Sequence, residues 1–452
     1  MYLADGRPAP ATSVSPGGRR TGRSRRVRAA VPSTVLVLGT VSLITDISSE
    51  MVTAVLPLYL VAELGLSPLG FGVLDGVYNG VSALVRLVGG RLSDRGGGAG
   101  HKAVAAVGYG LSALCKPLLL LVHSLPLIGA VLAVDRTGKG LRTAPRDAMI
   151  SLAADPAARG RAFGVHRAMD TAGALCGPLV AFMLLRAAAE GYDAVFTVSF
   201  CVAVLGVVVL LLFVPGRALP AAAGTAGPAS AGPASAGPPA GPTPAAPRTP
   251  VRALLGRPEI RRLTACAVLL GLTTVSDSFL YLTLQRRLDL PEGWFPLLPL
   301  GTAAAFLSLA VPMGAIADRL GRRRLFLAGH LVLLCAYGLL LAPLGDGAAL
   351  VCAVLVLHGA FYAATDGVLA AATADAVPED ARGSGLAVVQ TGQTAARFVC
   401  SLAFGAAWTA WGDHTAVLAA AVGLALAAAL SARLLRSAGP MAGPNSPSEH
   451  TS

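Results

Sequence analysis

Apolar residues in this chain come in long unbroken runs and do not alternate with polar ones. The runs cover residues 33–62, 69–90, 102–123, 125–144, 161–186, 193–214, 262–285, 294–316, 324–343, 348–372, 384–409 and 413–433. Each far exceeds the ~10 residues of a membrane-barrel strand. An α-helix needs ~20 apolar residues to cross the hydrocarbon core, so the pattern predicts twelve membrane helices.

One segment breaks the rhythm. Residues 215–258 fall between the sixth and seventh runs, and residues 226–238 read AGPASAGPASAGP. Such an Ala/Gly/Pro/Ser stretch cannot bury a core and reads as a flexible linker. The first 30 residues are polar and carry seven arginines. The apolar run after them is too long for a signal peptide, contains Asp46 and Glu50, and is followed by no small-residue cleavage site. The expected organisation is a disordered basic cytoplasmic tail (1–32), an N-terminal six-helix bundle (33–214), a cytoplasmic linker (215–258), a C-terminal six-helix bundle (259–435) and a disordered C-terminal tail (436–452).

Composition agrees. Charged residues make up 13% of the 452 residues and hydrophobic ones 54%, whereas soluble domains carry about 25% charged residues. This excludes an ordinary soluble enzyme, a disordered regulator and a coiled coil. The net charge of +12 is distributed unevenly. With the N-terminus inside, 27 Lys and Arg fall in cytoplasmic segments and three, Arg186, Arg286 and Arg287, fall outside. The positive-inside rule then predicts a multi-pass protein of the cell membrane with both termini cytoplasmic. The arginine-rich tail directly precedes the first span and reads as a topology signal, so no nucleic-acid partner is expected. The seven cysteines lie in apolar runs without CxxC spacing, which predicts packing roles and no metal site. No GxSxG, HExxH or Walker pattern occurs, so neither an enzyme nor an ATP-driven pump is expected, and no catalytic residue is assigned.

Two motifs echo across the halves. Gly90, Asp94 and Arg95 follow the second run, and Gly314, Asp318, Arg319, Gly321, Arg322 and Arg323 follow the eighth, with the aspartates 224 residues apart. The second copy matches in full the G-x-x-x-D-R-x-G-R-[RK] motif of the major facilitator superfamily, which the chain resembles. The first copy departs after Arg95, where a Gly-rich insertion precedes His101 and Lys102. Arg136-Thr-Gly-Lys139-Gly140 resembles the family's R-x-x-Q-G motif with Lys in place of Gln. Gly173, Gly177 and Pro178 resemble the start of the helix 5 motif of its proton antiporters, although Ala181 and Phe182 replace the final glycines. The resemblance implies an all-α integral membrane protein of two six-helix bundles related by pseudo-two-fold symmetry, working by alternating access. It implies a gate role for Asp94 and Asp318, and it favours proton-driven efflux.

An ionisable side chain in the hydrocarbon core costs at least ~2.5 kcal/mol, so those in the runs are the informative ones. The first half holds Asp46, Glu50, Asp75, Asp135 and Asp170 against Arg86, Lys116, Arg136, Lys139 and Arg167. Five acids against five bases predict a paired network. Asp46 and Glu50 share a helix face, and a carboxylate pair in a low-dielectric interior can bind and release protons. They are the proton-coupling candidates, with Asp170 as a further acid and Arg136 or Lys116 as the nearby base; a purely structural ion pair is the alternative. Helical spacing nominates Asp75, Asn79, Lys116, Asp277, Tyr281, Tyr362, Asp366, Gln390, Gln393 and Arg397 as cavity lining. The reading is a monomeric secondary transporter that exports a small organic molecule on the proton gradient without a cofactor. Its partners are the substrate, protons and the bilayer. Proton-coupled nutrient uptake is the alternative, and a non-transporting receptor or scaffold is the rival from another class.

Overall fold

A computed structural model describes residues 31–93, 97–155, 159–188, 191–215, 256–343, 347–377 and 382–436. Asp94, Arg95, most of both tails and most of the linker lie outside the described residues. Among the described residues the regular structure is entirely helical. In a bilayer the backbone must satisfy its own hydrogen bonds, and a helix does so within one segment.

The helices are α1 (Ser33–Leu58), α2 (Pro68–Ser93), α3 (Gly97–Leu121), α4 (Leu125–Ala153), α5 (Arg159–Ala187), α6 (Gly191–Phe213), α7 (Pro258–Gly271), α8 (Asp277–Arg287), α9 (Leu297–Leu320), α10 (Arg322–Leu341), α11 (Ala348–Thr365), α12 (Val368–Asp375), α13 (Arg382–Trp411) and α14 (Asp413–Arg436). Eight helical segments are long and apolar enough to cross a membrane by length and composition alone. The protein is inside-out relative to a soluble one. Val311, Leu121 and Leu212 are more than 70% exposed on the outer surface, while Lys116, Asp135, Arg136 and Arg142 are buried.

Two spans predicted as continuous are broken. The seventh consists of α7 and α8, and the tenth of α11 and α12. The first break covers Leu272-Thr-Thr-Val-Ser276, a stretch of poor helix formers. The freed Val275 N–H donates to the Tyr337 hydroxyl of α10 at 2.9 Å. The second break turns at Gly367, whose φ of +75° favours glycine. The fourth span also differs from expectation. Its helix runs on to Ala153, so Arg146, beyond the predicted end of the span at 144, is a side chain of α4.

Pairings repeat between the halves. α1 packs on α5 and α6, as α7 packs on α13 and α14; α2 packs on α4, as α9 packs on α11; α3 packs on α6, as α10 packs on α14. This is the pseudo-two-fold relation of two six-span bundles. The bundles meet through α2 with α13 and through α5 with α9. Contact is made at one end. A Cβ on Gly72 would stand 2.5 Å from the Ser401 carbonyl oxygen, and one on Gly405 would stand 2.5 Å from that of Pro68. Glycine at both positions lets the two backbones touch. At the same end the Leu69 N–H donates to Thr409 Oγ1 at 3.0 Å, the Tyr192 hydroxyl donates to Glu292 at 3.1 Å, and Phe182 stacks edge-on against Trp294.

Candidate functional site

The N-terminal bundle holds its charges on α4. Asp135, Lys139, Arg142 and Arg146 follow one another at three- and four-residue steps, which places them on one face. That face meets α1 and α5. Asp46 pairs with Arg142 at 3.4 Å and Glu50 with Lys139 at 3.4 Å. Arg146 reaches Asp170 at 3.4 Å and Asp147 at 3.2 Å. Asp135 accepts from its neighbour Arg136 and from Ser112 at 2.5 Å, with Lys116 at 3.6 Å. Arg136 stacks 3.9 Å above the Tyr78 ring, and Arg142 lies 4.5 Å from that of Tyr109. His166 Nε2 and Ser42 Oγ are 3.0 Å apart. Pairing and hydrogen bonding are what allow this much charge to stay buried.

Two sequence expectations are corrected here. Arg136 and Lys116 do not pair with Asp46 or Glu50; Asp135 takes both, because it sits beside Arg136 on α4 and faces Lys116 on α3. Lys116, proposed as cavity lining, is buried to 3% exposure in that cluster. The acidic neighbour of Asp46 is Asp170 of α5, and Glu50 has its own base in Lys139. The helix 5 motif supports this arrangement. A Cβ on Gly177 would fall 2.7 Å from Glu50 Cβ, and Gly173 abuts the Leu43 backbone, so these glycines press α5 against the acid-bearing stretch of α1. Pro178 follows within the same helix.

The C-terminal bundle carries a smaller polar centre at its two breaks. Asp277, the first residue of α8, accepts from the Tyr362 hydroxyl at 2.6 Å and lies 3.0 Å from His358 Nε2. The Tyr281 ring packs 6.1 Å from that of His358. Beside it a cleft of about 490 Å³ lies between α11–α12 and α13. Tyr362, Asp366, Gln390, Gln393 and Arg397 all line it. Asp75 lies between the bundles, bonded to Ser401 of α13 and to Asn79 at 3.4 Å. It lines a second space of about 300 Å³ together with Tyr78 and Ser278.

The complete loop motif caps the junction of α9 and α10. Gly321 has φ +90°, which lets one helix end and the next begin without a connecting loop. A Cβ on Gly314 would meet nothing within 4 Å. Arg322 binds Asp375 at the end of α12 at 2.5 Å and lies 4.0 Å from Asp318, while Arg323 reaches Glu259 of α7 at 3.9 Å. Arg319 follows Asp318 in the last turn of α9, and Gly90 lies near the end of α2.

Sequence reading missed Arg146, Ser112, Ser401 and the aromatic shelves under Arg136 and Arg142. Arg146 was findable, since it continues the α4 stripe by one more turn. Ser401 was not, because its relation to Asp75 spans 326 residues. Of the seven cysteines, Cys176, Cys201, Cys335 and Cys352 lie on the exposed outer surface, and the other three are buried. Among the described residues no group of three or more His, Cys, Asp or Glu side chains could hold a metal ion.

The sequence profile of the Major Facilitator Superfamily matches residues 38–311 and 296–451. An uncharacterized MFS-type transporter of Methanocaldococcus jannaschii, MJ1317, is 27% identical over 385 residues, covering 83% of this chain and 88% of the relative. Among solved structures, a mutant of the nucleoside transporter NupG superposes with a TM-score of 0.71 at 13% identity, covering 89% of this chain and 99% of its own. A bacterial homologue of the lysosomal transporter Spinster, solved inward-facing and unoccupied, gives 0.69 at 15% identity, covering 91% and 98%. At such identities these likenesses concern the fold.

Proposed function

Because the chain belongs to the Major Facilitator Superfamily and is thus a membrane transporter rather than an enzyme, we propose that it exports a small organic molecule across the cell membrane in exchange for protons. The observation that carries this reading is the double tie between α1 and α4, Asp46 with Arg142 and Glu50 with Lys139. Protonating either carboxylate releases its base, so proton uptake changes how the two helices hold each other. The helix 5 glycines, which resemble those of proton antiporters, lie directly against this stretch. It is that resemblance that favours export over uptake.

Positive charge orients the bundle with both termini in the cytoplasm. The end where α2 touches α13 is then the outer end, and the cleft along Leu386 to Arg397 lies on the cytoplasmic side of that contact. The state described is therefore inward-facing. The substrate enters between the bundles, and rocking of one against the other exposes it outside.

The test is transport into sealed vesicles under an imposed pH gradient. Wild-type protein should drive uphill movement in exchange for protons. The double variant Asp46→Asn with Glu50→Gln should lose uphill transport yet keep exchange or downhill flux. Normal uphill transport by the double variant would place the proton site elsewhere.

A further inference from the structure

The cleft beside the tenth span holds two opposite charges that do not satisfy each other. Arg397 of α13 lines it, and the buried Arg397 Nε has no hydrogen-bond partner among the described residues. Five bases of the other bundle's α3 and α4, by contrast, each have a carboxylate within 4 Å: Lys116, Arg136, Lys139, Arg142 and Arg146. Asp277 feels the charge of Arg397 but is already engaged by Tyr362 and His358. An arginine within a membrane bundle is costly to leave without a counter-charge. Its place on a cleft wall means that a ligand can supply one.

Asp366 lines the same cleft from the break between α11 and α12 and is exposed to it. No ion pair joins it to a base among the described residues. The break explains its position. Asp366, at ψ 130°, ends α11, and Gly367, at φ +75°, starts α12. Gln390 and Gln393 stand on the same wall and offer both donors and acceptors. Leu369, Leu386 and Val389 supply apolar surface.

We infer that this cleft receives a zwitterionic substrate of amino-acid type, with Arg397 holding the carboxylate and Asp366 the ammonium group. The inference rests on the transporter reading above and names its substrate class. A simple anion would be repelled by Asp366 and a simple cation by Arg397. A zwitterion neutralises both walls, and its side chain takes up the apolar surface.

The test uses protein in lipid nanodiscs and three matched probe series: alanine, leucine and phenylalanine; the carboxylic acids lacking the amino group; and the amines lacking the carboxylate. Binding is read as ligand-induced thermal stabilisation. The amino acids should bind best. Arg397→Gln should weaken them roughly tenfold or more, the expected loss for a charge-assisted hydrogen bond, and move preference towards the amines. Asp366→Asn should weaken them similarly and move preference towards the acids. Arg397→Lys, which keeps the charge, should preserve the wild-type order and guards against misreading a folding defect. The inference is overturned if the acids or amines alone bind wild-type protein as well as the amino acids do, if no series binds, or if both neutral variants keep the wild-type order. A separate measurement protects the transporter reading. Ser401→Cys is buried at the contact with Gly72, and slow labelling of it by an impermeant maleimide from outside reports that this end opens. Without labelling, alternating access itself fails; with labelling and the wrong probe order, only the substrate class fails.

Discussion

Glu50 Oε1 on α1 lies 3.4 Å from Lys139 Nζ on α4, one turn along from an equally spaced pair, Asp46 with Arg142. The two pairs differ in exposure. The Glu50 and Lys139 side chains are 26% and 36% exposed, whereas those of Asp46 and Arg142 are 12% and 5% exposed. The outer pair is open to water, and the inner pair ties the helices together.

This difference predicts unequal stability costs. Arg142→Gln leaves the Asp46 carboxylate buried without its base, which typically costs about 3–5 kcal/mol. Lys139→Gln removes a half-exposed partner and should cost under about 1 kcal/mol. Thermal unfolding in detergent should show a clearly larger loss for Arg142→Gln. Equal losses would mean that burial does not separate the two pairs.

Glu50→Gln alone should leave membrane insertion and melting temperature close to wild type and flatten the pH dependence of transport. In wild-type protein the rate of proton-driven transport should fall as pH rises on the side that supplies protons. A vesicle assay over a pH series reads both slopes, and an unchanged slope in the variant moves the proton site to Asp46 or Asp170.

Two glycine substitutions should act through different interfaces. Gly72→Ala puts a methyl group against the Ser401 carbonyl across the bundle–bundle contact, and Gly173→Ala puts one against Leu43 within one bundle. The first should shift the population away from this state, raising outside labelling of a cysteine placed at buried Ser401 with little loss of stability. The second should lower the melting temperature without that change in labelling. The reverse pattern would mean that α2 and α13 do not form a gate.

Asp318→Asn tests the loop motif. The carboxylate is 74% exposed and only 4.0 Å from Arg322, so its loss should not disturb folding. Transport should weaken, and cysteine accessibility should change on the two faces in opposite directions. Normal transport with unchanged accessibility would remove Asp318 from the gate.

Much of the site was legible in the sequence because membrane burial makes ionisable residues conspicuous. Asp46, Glu50, Lys139 and Asp277 stand out as charges in apolar runs, and helical spacing assigns their faces. Their partners were less legible. Arg146 falls beyond the predicted end of the fourth span because charge density on α4 lowers its hydropathy before the helix ends. Asp277, His358 and Tyr362 meet only because two spans break, and the signals for a break, a Thr-Thr-Val-Ser stretch and a lone Gly367, are too ordinary to read in isolation.

The sequence by itself determined the solvent, the span count and the doubled plan. Long apolar runs can bury their backbones only as helices in lipid, and the repeated loop motif marks two equivalent halves. Tertiary structure alone decided which acid meets which base and which end of the bundle is shut. Those outcomes depend on distances between side chains remote in sequence. Asp135 outcompetes Asp46 and Glu50 for Arg136 because it is adjacent on the same helix. Gly72 and Gly405, 333 positions apart in the chain, close the interface because only the folded bundles bring their backbones into contact.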